Sequence, residues 1–256
     1  MKQNYHTHTY RCYHASGTER EYIETAIQNG LTTLGFSDHA PYIFSNGYVS
    51  NFRMLPEATR DYFNTLQQLK EEYKDKIQIK IGFEAEYYPD IFDKFLEFIR
   101  PFGCDYLLLG QHYAKNEPNG IYVGIPTDSE AVLAEYVQTV VEGMNTGCFT
   151  YVAHPDLIYF TGKDSIYRKH MLSLCQEAKK LHMPLEINLQ GLSLHRNYPC
   201  EKFFALAKEV GNTIVLGCDA HKPEDVGNPV NTAAGEAFAA KLGLCIYQNP
   251  TVKSPF

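Results

Sequence analysis

His6 and His8 stand two residues apart near the start of the chain, in Met1-Lys2-Gln3-Asn4-Tyr5-His6-Thr7-His8-Thr9. Side chains alternate across an extended strand, so both imidazoles face the same way and can chelate one metal ion. With ten His in 256 residues, one such pair arises readily by chance. The rest of the chain gives it weight. Asp38-His39, Glu84, His112, His154 and Asp219-Ala220-His221 each follow a short apolar run. Counting His14, seven of the ten His stand at or just beyond such a run; only His170, His182 and His195 do not. An isolated His at a strand end is more often a packed or surface imidazole. It is the convergence of many that points to a metal centre.

The nine candidates are His6, His8, His14, His39, Glu84, His112, His154, Asp219 and His221. They are imidazoles and carboxylates only, a set that suits Zn, Mn or Fe and not copper(I) or an iron–sulfur cluster. Nine ligands are too many for one tetrahedral ion and fit two or three divalent ions with open positions. A carboxylate has two oxygens and can bridge two ions, which an imidazole cannot. Glu84 is the bridging candidate and Glu86, on the same face, is its rival.

These residues need elements to carry them. Thr18-Glu19-Arg20-Glu21 has capping-box spacing and opens a helix stopped at Gly30. Thr33-Leu34-Gly35-Phe36 predicts a strand, and Ala40 to Arg53 a long loop that covers a site. Leu55 to Tyr73 recurs at helical steps; Ile77, Ile79, Ile81 and Phe83 alternate as in a strand. Helices are predicted near Phe92–Ile99, Leu133–Met144, Tyr167–Leu181, Phe203–Val210 and Thr232–Leu242. Strands are predicted at Asp105–Gly110, Phe149–Ala153, Leu185–Asn188 and Thr213–Gly217, with Leu244–Tyr247 closing the chain. Strand and helix alternate without a linker, the pattern of a parallel sheet with crossover helices. Seven strands precede the last segment, and every candidate ligand falls at a strand's C-terminal end, where barrel enzymes carry their sites. An open doubly wound sheet would gather ligands at one switch point instead.

The length fits one large α/β domain. A formal charge of -7 argues against a general nucleic-acid binder. No apolar run is long enough for a membrane span, and no signal peptide precedes the first motif, so a cytoplasmic protein is expected. Seven Cys without a Cys-x-x-Cys pair argue against a disulfide framework.

His6-Thr7-His8-Thr9, Ser37-Asp38-His39, Gly82-Phe83-Glu84, Gly110-Gln111-His112, Ala153-His154-Pro155-Asp156 and Gly217-Cys218-Asp219-Ala220-His221, in this order, resemble the motifs of the polymerase and histidinol phosphatase (PHP) family. The resemblance implies one α/β domain over 1–256, a distorted (β/α)7 TIM-like barrel with a trinuclear centre. By it, His6, His8, Glu84 and Asp219 hold the first ion; Glu84, His112 and His154 the second; His14, His39 and His221 the third. Size and the lack of a polymerase module resemble stand-alone histidinol-phosphate phosphatases. The expected reaction is hydrolysis of a small phosphate ester, L-histidinol phosphate, by a hydroxide shared between ions. Arg196 is expected to clamp the phosphate, with Lys163 or Arg168 as substitutes. Asp219 or a nearby His such as His221 would protonate the leaving alkoxide. The alternatives are a nucleotide phosphatase or nuclease on the same scaffold, an amidohydrolase-like C–N hydrolase, and a metal-binding protein without activity. No strand-end Lys stands where amidohydrolases often carry a carboxylated one.

Overall fold

The computed structural model describes residues 1–256. Strands β1 (Gln3–Asn4), β2 (Thr33–His39), β3 (Gln78–Ala85) and β4 (Tyr106–Leu109) pair in that order, all parallel. Parallel neighbours need crossovers, supplied by helices α1 (Glu19–Gln28), α2 (Thr59–Glu72) and α3 (Phe92–Ile99). A short antiparallel hairpin follows, β5 (Tyr113–Ala114) with β6 (Ile121–Tyr122). Then come α4 (Glu130–Asn145), α5 (Asp164–Lys180), β7 (Leu185–Asn188), α6 (Leu189–Ser193), α7 (Glu201–Val210), β8 (Ile214–Gly217) and α8 (Pro229–Lys241). β7 and β8 pair in parallel.

Single bridges join these pieces. Val152 bridges Leu109 on one side and Leu185 on the other, and Thr7 bridges Ala220 just beyond β8. The sheet curls, because Tyr5 and Tyr106, carried near strands three places apart in the order, meet ring to ring at 5.6 Å. Tyr106 donates its hydroxyl to the Tyr5 carbonyl at 2.6 Å. With Leu108, Tyr151, Ala153 and Val215 they form a small buried cluster inside the curl. The main core lies on the other face, between sheet and helices. It includes Tyr22, Ile23 and Ala26 of α1 and Tyr62, Phe63, Leu66 and Leu69 of α2. α1 starts with the capping box expected at Thr18 and Glu21. No helix is long and apolar enough to cross a membrane.

Three predicted strands are shorter than their sequences suggest. The first keeps ladder pairing only at Gln3–Asn4 and a bridge at Thr7. The Asn4 side chain takes over there, accepting from Cys218 N–H at 2.9 Å and donating to Thr7 Oγ1 at 2.7 Å. The expected strand Phe149–Ala153 is a single bridge at Val152, whose N–H donates to Pro184. Pro184 has no N–H with which to extend that ladder. Leu244–Tyr247 is likewise reduced to a bridge at Ile246. The hairpin β5–β6 and the short α6 have no counterpart in the predicted elements.

Candidate metal centre

Because the strands run parallel, their C-terminal ends open on one side, and that side carries the candidates. His39 ends β2 and Glu84 lies on β3, paired in register. His112 follows β4, His154 follows the Val152 bridge, and Asp219 and His221 follow β8. The Thr7–Ala220 bridge brings His6 and His8 beside Asp219 and His221.

Glu84 sits at the centre. Its Oε1 lies 2.6 Å from His154 Nε2 and 3.6 Å from His112 Nε2. Its Oε2 lies 3.0 Å from His39 Nδ1 and 3.6 Å from both His6 Nε2 and His8 Nε2. Asp219 Oδ1 faces the same pair, 3.1 Å from His8 Nε2 and 3.5 Å from His6 Nε2. His221 Nε2 stands 3.0 Å from His14 Nε2. Ligand atoms gather within metal-binding range in the groups His6–His8–Asp219, His6–Glu84–His154, His8–His39–Glu84 and His14–His39–His221. His6 Nε2, His8 Nε2, His39 Nδ1 and Glu84 Oε2 are buried without a hydrogen-bond partner. Leaving such atoms unpaired is costly, and cations held by these groups would satisfy them. The donor set of imidazole nitrogens and carboxylate oxygens fits a divalent ion of the Zn or Mn kind.

Outer groups aim these ligands. His6 Nδ1 and Glu186 Oε1 are 2.8 Å apart, and His112 Nδ1 and Glu86 Oε1 are also 2.8 Å apart. An Nδ1–H given to a carboxylate leaves Nε2 with its lone pair toward the cluster. Glu186 also accepts from the His154 backbone N–H and from Asn188 Nδ2, both at 2.9 Å. The Glu86 carboxylate belongs to this outer layer, since Arg53 holds it in a fork and His112 Nδ1 meets its Oε1. Gly110 and Gly217 make the room: a methyl at either position would overlap the carboxylate of Glu84 or of Glu186. His154 (φ 29°) and Asp219 (φ 50°) have left-handed backbones, a strain that folds keep where a side chain must be aimed.

Burial by itself would raise the Glu84 carboxyl, but His112, His6 and His39 hold it well below the usual range. Asp219 is also pulled well down against burial, by His6 and His8. Burial lowers His39 well below the imidazole norm and takes His221 down to about 3. The carboxylates are thus ionised and His39 and His221 neutral, the forms in which each ligates a cation. Against burial, Glu186, Asp219 and Glu84 hold His6, and Asp219 and Asp38 hold His8, well above the imidazole norm, so that an ion binding there displaces protons.

The centre floors a cavity of about 670 Å³. Phe52, Tyr113, Tyr122 and Tyr198 form apolar walls, and Arg196 and Lys222 are its cationic side chains. Arg196 has no carboxylate partner; its Nη1 donates to Tyr198 Oη at 3.1 Å. Two expected phosphate clamps lie elsewhere. Arg168 forks onto Glu209 between α5 and α7, and Lys163 caps the start of α5; neither lines the cavity. Lys163 precedes the helix in extended backbone, and the turn of α5 carries Arg168 to its outer face. Glu186 and Lys222 have no counterpart among the expected site residues. The one signal for Glu186 was a charged residue inside an otherwise buried strand, Leu185-Glu186-Ile187-Asn188.

A family model described as PHP domain matches residues 4–190, so Asp219 and His221 lie beyond it and join the cluster by geometry alone. The chain is 30% identical over 232 residues to the "Probable histidinol-phosphatase" of Deinococcus radiodurans, covering 87% of each chain. It is 26% identical to the histidinol-phosphatase of Bacillus subtilis, over 89% of this chain and 96% of that one. Its fold matches the crystal structure of a Lactococcus lactis histidinol phosphate phosphatase complexed with Zn, L-histidinol and phosphate. That match has a TM-score of 0.74 and 20% identity, over 99% of this chain and 97% of the other.

Proposed function

The chain belongs to the PHP domain family, and from that premise we propose that it is a metal-dependent phosphomonoesterase whose substrate is L-histidinol phosphate. The observation that carries the reading is the buried Glu84 carboxylate, ringed by imidazoles and facing a cavity with an uncommitted guanidinium. Relatives named histidinol-phosphatase along nearly the whole chain support the substrate. We read the single bridges at Val152 and Thr7 as closing a distorted seven-stranded barrel, with 1–256 as one domain. A cytoplasmic location accords with a small soluble substrate.

The residues fit two or three divalent ions, Zn, Mn or Fe. By the resemblance, His6, His8, Glu84 and Asp219 would hold the first, Glu84, His112 and His154 the second, and His14, His39 and His221 the third. The gathered groups His6–His8–Asp219 and His14–His39–His221 support the first and third. The second rests on Glu84 Oε1 lying 2.6 Å from His154 Nε2 and 3.6 Å from His112 Nε2. Such ions supply Lewis acidity, making water a nucleophile near neutral pH and drawing charge from phosphoryl oxygens. The protein groups do the rest. Arg196 and Lys222 bind the phosphate oxygens and turn the ester oxygen away from the attacking water. Phe52, Tyr113, Tyr122 and Tyr198 enclose the substrate's ring and exclude bulk water. Water adds to phosphorus as the ester P–O bond breaks. Its proton passes to Asp219 Oδ and then to the leaving alkoxide, giving alcohol and inorganic phosphate. Asn188 Nδ2, donating to Asp219 Oδ2 at 3.1 Å, holds that carboxylate in place.

The test is a steady-state assay of purified protein, with Zn or Mn added, on histidinol phosphate beside nucleoside monophosphates and other small esters. A preference for histidinol phosphate of at least about ten-fold in kcat/KM, roughly 1.4 kcal/mol, is expected. A nucleotide preference or an absence of phosphatase activity overturns the reading.

A further inference from the structure

Arg53 is the largest side chain buried almost completely, at 1% exposure. It lies at the end of the long Ala40–Arg53 loop, outside every regular element. Burying a guanidinium is expensive, and an apolar residue of similar volume would often stabilise the fold as well or better. Its partners show what the charge does there. Arg53 Nη1 and Nη2 fork onto Glu86 at 2.8 and 2.7 Å, and its Nε donates to Glu117 Oε2 at 2.6 Å. Glu86 Oε1 is the partner of His112 Nδ1. Glu117 lies in the turn between β5 and β6 and also accepts from Tyr48 Oη at 2.9 Å. The guanidinium stacks 4.5 Å over Phe52. Phe52 in turn meets His39 at 5.2 Å, His112 at 6.0 Å and Tyr113 at 6.1 Å.

Three separate segments therefore meet on one planar cation. The covering loop brings Phe52, the hairpin brings Tyr113, and the chain after β3 brings the carboxylate that aims His112. We infer that Arg53 is a positioning residue that locks the aromatic wall of the cavity, through Phe52 and Glu117, to the orientation of His112, through Glu86. A guanidinium presents its donors in a fixed plane and can serve both carboxylates at once; a lysine ammonium cannot hold that fork. Glu117 is the wall's side of the lock and Glu86 the ligand's side, so the two arms separate by mutation. The inference rests on the cavity being the active site.

The experiment compares wild type with Glu117→Gln, Arg53→Lys and Arg53→Met. It reads KM and kcat on histidinol phosphate, Zn affinity by titration of the chelator-stripped protein, and the melting midpoint. Cutting the wall arm in Glu117→Gln should raise KM several-fold while Zn affinity stays at the wild-type value. Breaking both arms in Arg53→Lys should raise KM and also weaken one class of Zn site about ten-fold or more, the usual scale for groups that aim a ligating His. Should Arg53→Met fail to fold, the lysine and glutamine variants carry the test. Variants that melt lower yet keep wild-type KM and Zn affinity would make Arg53 a structural ion pair only and overturn the inference. If wild type ignores histidinol phosphate, the proposed substrate falls, and the Zn titration alone still decides whether Arg53 acts on His112.

Discussion

Glu186→Gln is the most exacting change available, because it keeps shape and alters only charge and one donor. Both Glu186 oxygens are committed. Oε1 faces His6 Nδ1 at 2.8 Å, while Oε2 takes the His154 N–H and Asn188 Nδ2 at 2.9 Å each. A glutamine has one carbonyl oxygen and one amide donor. With its oxygen toward His6, the NH2 meets two donors; with its oxygen toward His154, the NH2 meets His6 Nδ1. In the first case Asn188 falls back on Asp219 Oδ2, 3.1 Å away, but the buried His154 N–H is orphaned, at about 1–3 kcal/mol. The surviving bond to His6 changes from charge-assisted to neutral and loses about 1 kcal/mol more. In the second case His6 must carry its proton on Nε2 and cannot ligate. The expected loss is therefore about 2–4 kcal/mol in the chelated protein. At roughly 2–4 °C per kcal/mol for a chain of this size, its melting midpoint falls by roughly 4–16 °C. Zn affinity falls about 10–100-fold. Calorimetry with chelator and a competitive Zn titration check the two numbers independently. A midpoint within about 2 °C of wild type together with wild-type Zn affinity would refute the reasoning.

Glu84→Gln should fold, lose at least one ion by elemental analysis and lose nearly all phosphatase activity, whereas Glu86→Gln should do much less, its effect confined to the ion beside His112. A more damaging Glu86→Gln would reverse the bridging assignment. Arg196→Ala should lower kcat/KM about ten- to a hundred-fold, the worth of a charge-assisted hydrogen bond, with ion content unchanged; wild-type kinetics would remove it from the site. Gly110→Ala should drive Glu84 from its place and weaken ion binding as severely as Glu84→Gln, and full ion content in that variant would mean the cluster tolerates a displaced carboxylate.

The gathering of the candidate ligands was legible because strand ends carry a local signature, a polar residue just after an apolar run. His39, Glu84, His112, His154 and Asp219 could each be read that way. Helices with a buried stripe, such as α2 and α5, were legible by their period. The bridge-like strand at Val152 was not, since Phe149-Thr150-Tyr151-Val152-Ala153 looks the same whether or not a proline just before the neighbouring strand interrupts the ladder. Nor were Glu186 and Arg53. Each acts through a partner far along the chain, His6 at one end and Glu86 and Glu117 across two loops. Nothing in their own neighbours announces such a pairing. Arg168 shows the converse error: a basic residue close in sequence to a site loop is carried to the outside of a helix by the turn of that helix.

The bridge between Thr7 and Ala220 has a bearing on how the protein is made. His6 and His8 leave the ribosome about 210 residues ahead of Asp219 and His221. At roughly 5–20 residues per second, about 10–40 s separate them. Throughout that interval the nascent chain carries paired imidazoles, then Glu84, without the carboxylate and imidazole that complete the first and third groups. An ion held by the first or third group would thus be captured only once Asp219 and His221 have been translated. Such loading would be a late event of biogenesis, and a product terminated before Asp219 would be marked by completing neither group.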